Sequence, residues 1–269
     1  MGQFKNDNLW SAGLRTAKRL ANRSFYLSTE APHFQFEVKG EWYVFCAIHK
    51  NASSSIRALV ETASPKERGA DTSLFDFLFA NHQVRKRHEI ERAKHLMVFV
   101  RHPVERVISC FANKFIQQKG NRSIFHDYAK VTGANPQNST FNQFVNGYMR
   151  PCFRGRKVKS RHNRHIYTQQ QQLLPVNYNV VAPVEQFSVI VQELGLGYLL
   201  PERINATSGA GAIPGASSMT AEELHALYQK TGKTPDMPSL LREELLKNIN
   251  DLYHVDLKAF GRWYDRVPE

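Results

Sequence analysis

Six consecutive residues, Lys50-Asn51-Ala52-Ser53-Ser54-Ser55, bring together one cation, small side chains and three hydroxyls. Small residues let backbone N–H groups close around an anion, and hydroxyls add further donors. A lysine at the entrance of such a loop can reach the bridging oxygen of a phosphate-linked leaving group and offset the charge that develops as the bond breaks. The same six residues also fit an ordinary capped helix start with surplus serine, because serine favours that position. The leading Gly and the Gly-Lys-[Ser/Thr] ending of a Walker A loop are absent, which counts against a nucleoside-triphosphate hydrolase.

A second group begins at Arg101 and includes Ser109. A forked guanidinium with a nearby hydroxyl is a good receptor for a dianionic phosphate, and helical side chains lean toward the helix N-terminus, which aims Ser109 back toward Arg101. Glu105, Ser109 and Asn113 recur every four residues and form a polar stripe, while Arg106 can reach backbone or acidic partners. The alternative pairs Arg101 with Glu105 or Glu185 and leaves Ser109 as a small helical residue.

Both groups sit where a strand gives way to a helix. Glu41 to Ile48 is aromatic, branched and almost uncharged, as in a strand buried on both faces, and Ile56, Leu59 and Val60 follow at helical spacing. His95 to Val100 repeats the pattern, with Pro103 in the first helical turn and Val104, Val107, Ile108, Phe111 and Phe115 as the apolar face. A third strand is expected over 178–182, ended by Pro183, with Ser188 capping a helix to about residue 194. Strands alternating with helices predict an α/β fold with a mostly parallel sheet, in which ligands gather beyond the carboxyl ends of the strands. Further along, Thr220 can cap a helix beginning Ala221-Glu222-Glu223, and leucines recur at helical intervals from Leu240 to Leu257. Residues 150–165, rich in cations and histidines, and residues 205–218, rich in Gly, Ala and Ser, read as loops.

The chain has 269 residues, 42% of them hydrophobic, enough for one substantial core: a single domain over 41–269 after a helical, basic extension over 1–40. Lysines and arginines number 36 against 24 acids, a formal charge of +12, so partners should carry negative charge. Nucleic acid, an anionic surface, a nucleotide and an acidic glycan all satisfy that balance. Cys46, Cys110 and Cys152 are too few for a disulfide framework, and the first two lie in apolar segments. Arg15, Lys18, Arg19 and Arg23 interrupt the only helical-looking stretch near the start, so neither a leader nor a spanning helix is visible, and a cytoplasmic location is expected.

With these motifs in place the chain resembles the carbohydrate sulfotransferases of the Golgi type and their bacterial relatives. The family's 5′-phosphosulfate loop, a Lys followed by small and hydroxyl residues after a strand, is similar to Lys50 through Ser55. Its 3′-phosphate motif resembles the run Arg101-His102-Pro103-Val104-Glu105-Arg106-Val107-Ile108-Ser109-Cys110-Phe111-Ala112-Asn113-Lys114-Phe115. Weaker echoes occur at His165-Ile166-Tyr167-Thr168-Gln169, Val184-Glu185-Gln186-Phe187, Asn205-Ala206-Thr207 and Leu252-Tyr253-His254-Val255-Asp256. Two positions depart from the family pattern: His49 stands where a Pro is usual and His102 where an acid is usual.

The resemblance implies a P-loop-containing, Rossmann-like sheet flanked by helices, and the donor 3′-phosphoadenosine 5′-phosphosulfate (PAPS), leaving as 3′,5′-bisphosphoadenosine. It implies in-line sulfuryl transfer to a hydroxyl of a carbohydrate or related acceptor, with no metal required. Lys50, Asn51, Ala52, Ser53, Ser54 and Ser55 would hold the 5′-phosphosulfate, Arg101 and Ser109 the 3′-phosphate, and the loop 205–218 would close over the nucleotide.

The acceptor's proton needs a base, and a histidine or glutamate suits neutral pH. His82 and His165 are the leading candidates, with His88, His162 and Glu105 behind them. The cations Arg150, Arg154, Arg156, Lys157, Lys159, Arg161 and Arg164 would steer an acidic acceptor if they line the cleft, and otherwise form a solvated loop. Two rival readings remain at this level: a basic, non-catalytic binder of nucleic acid or another polyanion, and a nucleotide-dependent kinase using the Lys50 loop.

Overall fold

The computed structural model describes residues 2–4, 30–154, 164–200 and 209–264. The basic stretch that carries Arg15 to Arg23 lies outside the described residues. The chain divides into two compact units. The first takes the described residues up to Arg101, those from Gln169 to 200 and those from Arg262 onward; the second takes His102 to Thr168 and the described residues from 209 to Gly261.

The first unit is built on a five-stranded mixed sheet flanked by helices. Its strands are β1 (Gly2–Phe4), β2 (His33–Val38), β3 (Glu41–Cys46), β4 (His95–Val100) and β5 (Tyr178–Pro183), in the order β1-β5-β4-β3-β2. The three strands expected from apolar patterning form the parallel centre, with Cys46 opposite Val98 and Phe99 opposite Ala182. Both edges are antiparallel. At one edge β2 turns into β3 through Lys39 and Gly40, whose φ angles of 51° and 78° match the two-residue hairpin that follows strand twist.

Helix Ser53–Ala63 lays Ile56, Leu59 and Val60 on the sheet side chains Phe34, Phe45 and Phe99, and helix Phe187–Glu193 adds Phe187, Ile190 and Val191. Burial of each such side chain contributes roughly 1.5–3 kcal/mol. This apolar face holds the loops at the strand ends in place. The 187–193 helix differs from expectation at its start. A 3₁₀ turn, Val184–Gln186, runs straight into it with Gln186 at the N-cap, so Ser188 lies inside the helix rather than capping it.

The second unit is mostly helical among its described residues, with one short parallel strand pair, Ala210–Gly211 beside Thr234–Pro235. Helix Pro103–Phe111 continues into a wider π-helical turn, Ala112–Ile116, which packs Phe111 and Phe115 in parallel stacking at 5.2 Å and sets Phe115 edge-on to Phe144 at 4.9 Å. Lys114 is buried and ties off that turn, its ammonium donating to the carbonyls of Lys119 and Gly120. Thr220 caps helix Ala221–Thr231 as expected, in a reciprocal box with Glu223. The leucine-rich run after Leu240 is broken into pieces rather than continuous: Met237–Leu240, Glu243–Leu252 and His254–Tyr264, with Leu241 extended between the first two. Cys46 and Cys110 are buried thiols and, like Cys152, form no disulfide.

Candidate functional site

β3 ends at Cys46, and the chain then turns sharply into the Ser53 helix. Lys50 and Ala52 both occupy the left-handed region, with φ of 70° and 53°. That conformation costs a non-glycine residue roughly 1–2 kcal/mol, so something must hold it. Asn51, between them, supplies the hold. It is 1% exposed, and its Nδ2 donates to the carbonyl of Phe99 at 2.8 Å and to Oε1 of Gln169 at 2.5 Å. The side chain thus reaches the neighbouring strand beyond the last β3–β4 pair, Cys46 with Val98.

The helix that follows starts without a side-chain cap. Ala52 occupies the N-cap, no acid lies in the first turn, and the Ile56 N–H takes the Ala52 carbonyl. The N–H groups of Ser53, Ser54 and Ser55 precede the intrahelical ladder, and the positive end of the helix dipole falls on them. Arg57, one turn on, leans back: its Nε donates to the Ser53 carbonyl at 2.9 Å and its terminal nitrogen to Ser54 Oγ at 3.2 Å. Burial lowers its pKa, so the guanidinium sits where a nearby anion would be favourable. Sequence reading missed Arg57, although its spacing of four from Ser53 on a helix was a usable signal.

Arg101 belongs to the same unit and leaves β4 directly after Val100, which pairs with Pro183. Its backbone N–H donates to Gln169 Oε1 at 2.9 Å, and its carbonyl accepts from Gln169 Nε2 at 2.9 Å. The Lys50–Ser55 loop and Arg101 are therefore joined through one carboxamide. In the sequence Gln169 stands out only as the end of the weak family echo His165-Ile166-Tyr167-Thr168-Gln169, with no role attached to it.

The two departures from the family pattern have local explanations. His49 keeps a backbone N–H that a proline would lack, and it meets Oε1 of the buried Gln172 at 3.5 Å. His102 caps the Pro103 helix, with Nδ1 accepting from the Val104 N–H at 3.3 Å, the job an acid would otherwise do.

In the second unit, Glu105, Ser109 and Asn113 are half-buried along one stripe of the chain, and Ser109 lies in the last turn of helix Pro103–Phe111. Arg106 is 1% exposed and reaches backbone, donating to the carbonyls of His165, at 3.3 Å, and Tyr167. Its guanidinium lies 5.4 Å from the Tyr253 ring centroid, and the Tyr253 hydroxyl donates to the Ile166 carbonyl. Three successive carbonyls of the 165–167 turn are thus held from the helical core, which fixes the backbone that carries His165.

The histidine candidates separate clearly. His82 is buried, with Nδ1 against the Gln35 carbonyl at 3.0 Å and Nε2 against Ser64 Oγ at 2.9 Å. A carbonyl only accepts, so Nδ1 carries the proton and Nε2 takes the serine hydroxyl; burial lowers the pKa and keeps the ring neutral. Both nitrogens of His82 are engaged in holding the fold. His88 is exposed on helix Arg87–Glu91, whereas His165 is half-buried. His162 and the cations Arg156, Lys157, Lys159 and Arg161 lie outside the described residues, as does the Asn205-Ala206-Thr207 echo.

No helix among the described residues is long and apolar enough to cross a membrane. Comparison with known proteins gives one family match, to the model described as "Sulfotransferase family", over residues 40–265. No curated protein and no solved structure matches the chain.

Proposed function

The chain belongs to the sulfotransferase family, and from that premise we propose that it moves a sulfuryl group from PAPS to a hydroxyl of a carbohydrate or related acceptor. The observation that carries this reading is the Lys50–Ser55 turn. It is a strained, uncapped helix start with three serine N–H groups, an adjacent cation and no acid in its first turn, tied within one unit to the strand-end Arg101.

In this reading Lys50 and the N–H groups and hydroxyls of Ser53, Ser54 and Ser55 receive the 5′-phosphosulfate, with Asn51 and Ala52 shaping the loop. Arg101, with Ser109, receives the 3′-phosphate. During transfer the acceptor oxygen forms its bond to sulfur as the bond from sulfur to the bridging phosphate oxygen breaks. The electron pair leaves on 3′,5′-bisphosphoadenosine, and Lys50 stabilises that developing charge. The acceptor's proton passes to a base, which we assign to His165, a half-buried residue whose backbone Arg106 holds, because His82 has both nitrogens committed. The excess of 36 cations over 24 acids favours an acidic glycan among possible acceptors. The single domain over 41–269 with a basic extension before it remains our assignment for the chain's organisation, and the cytoplasm its expected place.

Thermal unfolding with 3′,5′-bisphosphoadenosine tests the donor site. Ligand at a hundred times its dissociation constant should add about 2.7 kcal/mol of stability. A polynucleotide that stabilises the protein in a salt-sensitive way, with no effect of the bisphosphate, would favour the polyanion-binding reading instead. Labelled donor offered with a panel of glycans, phenols and small alcohols then identifies the acceptor class.

A further inference from the structure

Gln169 is completely buried, and its carboxamide is fully used. Oε1 accepts from Asn51 Nδ2 at 2.5 Å and from the Arg101 N–H at 2.9 Å, while Nε2 donates to the Arg101 carbonyl at 2.9 Å and to the Tyr264 hydroxyl at 2.8 Å. A carboxamide oxygen has two lone pairs and the NH₂ group two protons, so all four positions are filled.

The placement matters more than the count. Arg101 has left the sheet, yet Gln169 bonds both its N–H and its carbonyl, as a neighbouring strand would. Asn51 lies between the two left-handed residues of the Lys50 loop, and its other bond, to Phe99, anchors it to the strand that delivers Arg101. One side chain therefore fixes the backbone of the loop and the backbone of the arginine against each other. Burial raises the cost of losing any one of these bonds.

We infer that Gln169 is a positioning residue that sets the spacing between the Lys50–Ser55 loop and Arg101, and so tunes the protein to a nucleotide phosphorylated at both ends. This inference rests on the donor reading above. It does not require Gln169 to touch the nucleotide.

The test compares three ligands, 3′,5′-bisphosphoadenosine, 5′-AMP and 3′-AMP, on the full chain and on Gln169→Glu and Gln169→Ala. Glu keeps the size of the side chain but carries no N–H donors, so it serves even if the Ala variant folds poorly. If Gln169 sets the spacing, each variant should lose ~10-fold or more in affinity for the bisphosphate, while affinity for either monophosphate changes less than about 3-fold, because each receptor survives but their register does not. A purely structural role would weaken all three ligands alike. Equal losses for the three, or no loss for the bisphosphate in a folded variant, overturn the inference and leave the donor reading standing. Failure of the unaltered protein to bind the bisphosphate removes the donor reading and this inference together.

Discussion

The guanidinium of Arg106 donates to the carbonyl oxygen of Tyr167, 61 residues further along the chain, inside the core of the helical unit. A second N–H of the same group takes the His165 carbonyl. An arginine in the first turns of a helix is thus a backbone clamp on the turn that carries the assigned base.

Replacing Arg106 by Leu should leave two carbonyls without that donor and cost about 2–6 kcal/mol, since each unsatisfied buried group costs roughly 1–3 kcal/mol. Arg106→Lys should recover only part, because a single ammonium cannot span both oxygens while lying against Tyr253. Urea denaturation checks this; a loss below about 1 kcal/mol for the Leu variant would show that the clamp is dispensable.

Lys50→Ala should lower turnover by about 10²–10³-fold, the usual effect of removing one donor from a developing charge. Affinity for 3′,5′-bisphosphoadenosine should fall much less, because the serine N–H groups and Arg101 remain. Single-turnover rates set beside calorimetric binding separate the two effects, and equal losses in both would assign Lys50 to binding alone.

Stability should fall on mild acidification through His33. Its Nδ1 bonds the Ala31 carbonyl at 3.0 Å, and its Nε2 meets the Tyr178 hydroxyl at 2.8 Å, which in turn accepts from the Leu174 N–H. Burial lowers the imidazole pKa from 6.5 to about 3. Between those values the unfolded chain binds the extra proton and the folded one does not, so stability rises with pH. The contribution is complete above about pH 6.5 and is lost as pH falls toward 3, by at most about 1.4 kcal/mol per pH unit. His82, also lowered by burial, works in the same direction. Denaturation from pH 7 to 4 should be shallower in pH for His33→Gln than for the unaltered chain by about one proton; an unchanged slope would place the titration elsewhere.

Gly209 is a position where only glycine fits. Its φ is +105°, a Cβ there would stand 2.5 Å from the Gly232 carbonyl oxygen, and its own carbonyl accepts from the Thr234 N–H at 2.7 Å. Gly209→Ala should therefore cost about 1–3 kcal/mol through backbone strain alone. Gly215, whose Cβ would meet nothing within 4 Å but whose φ is +77°, is the matched control for strain without collision. Thermal unfolding should show the Gly209 variant as the less stable of the two, and the reverse order would refute the crowding argument.

The sequence by itself determined the parallel centre of the sheet, because Glu41–Cys46, His95–Val100 and Tyr178–Pro183 are apolar runs, rich in aromatic and branched residues and broken only by Glu41, His95 and Asn179, and each is followed by helical spacing. It also located the Lys50 turn, Arg101 and the Thr220 cap, since these depend on residues close together in the chain. It did not supply β2, whose Phe34 and Phe36 alternate with polar residues that the fold buries. Nor did it distinguish His82 from His165, or give Arg106 and Gln169 their partners. Those roles depend on which distant atoms burial brings within hydrogen-bonding distance: Gln35 and Ser64 around His82, Asn51, Arg101 and Tyr264 around Gln169. Local spacing writes strands, helices and anion-ready turns into a sequence, whereas a buried polar group takes its role from the whole fold, because only the folded chain removes the water that would otherwise satisfy it.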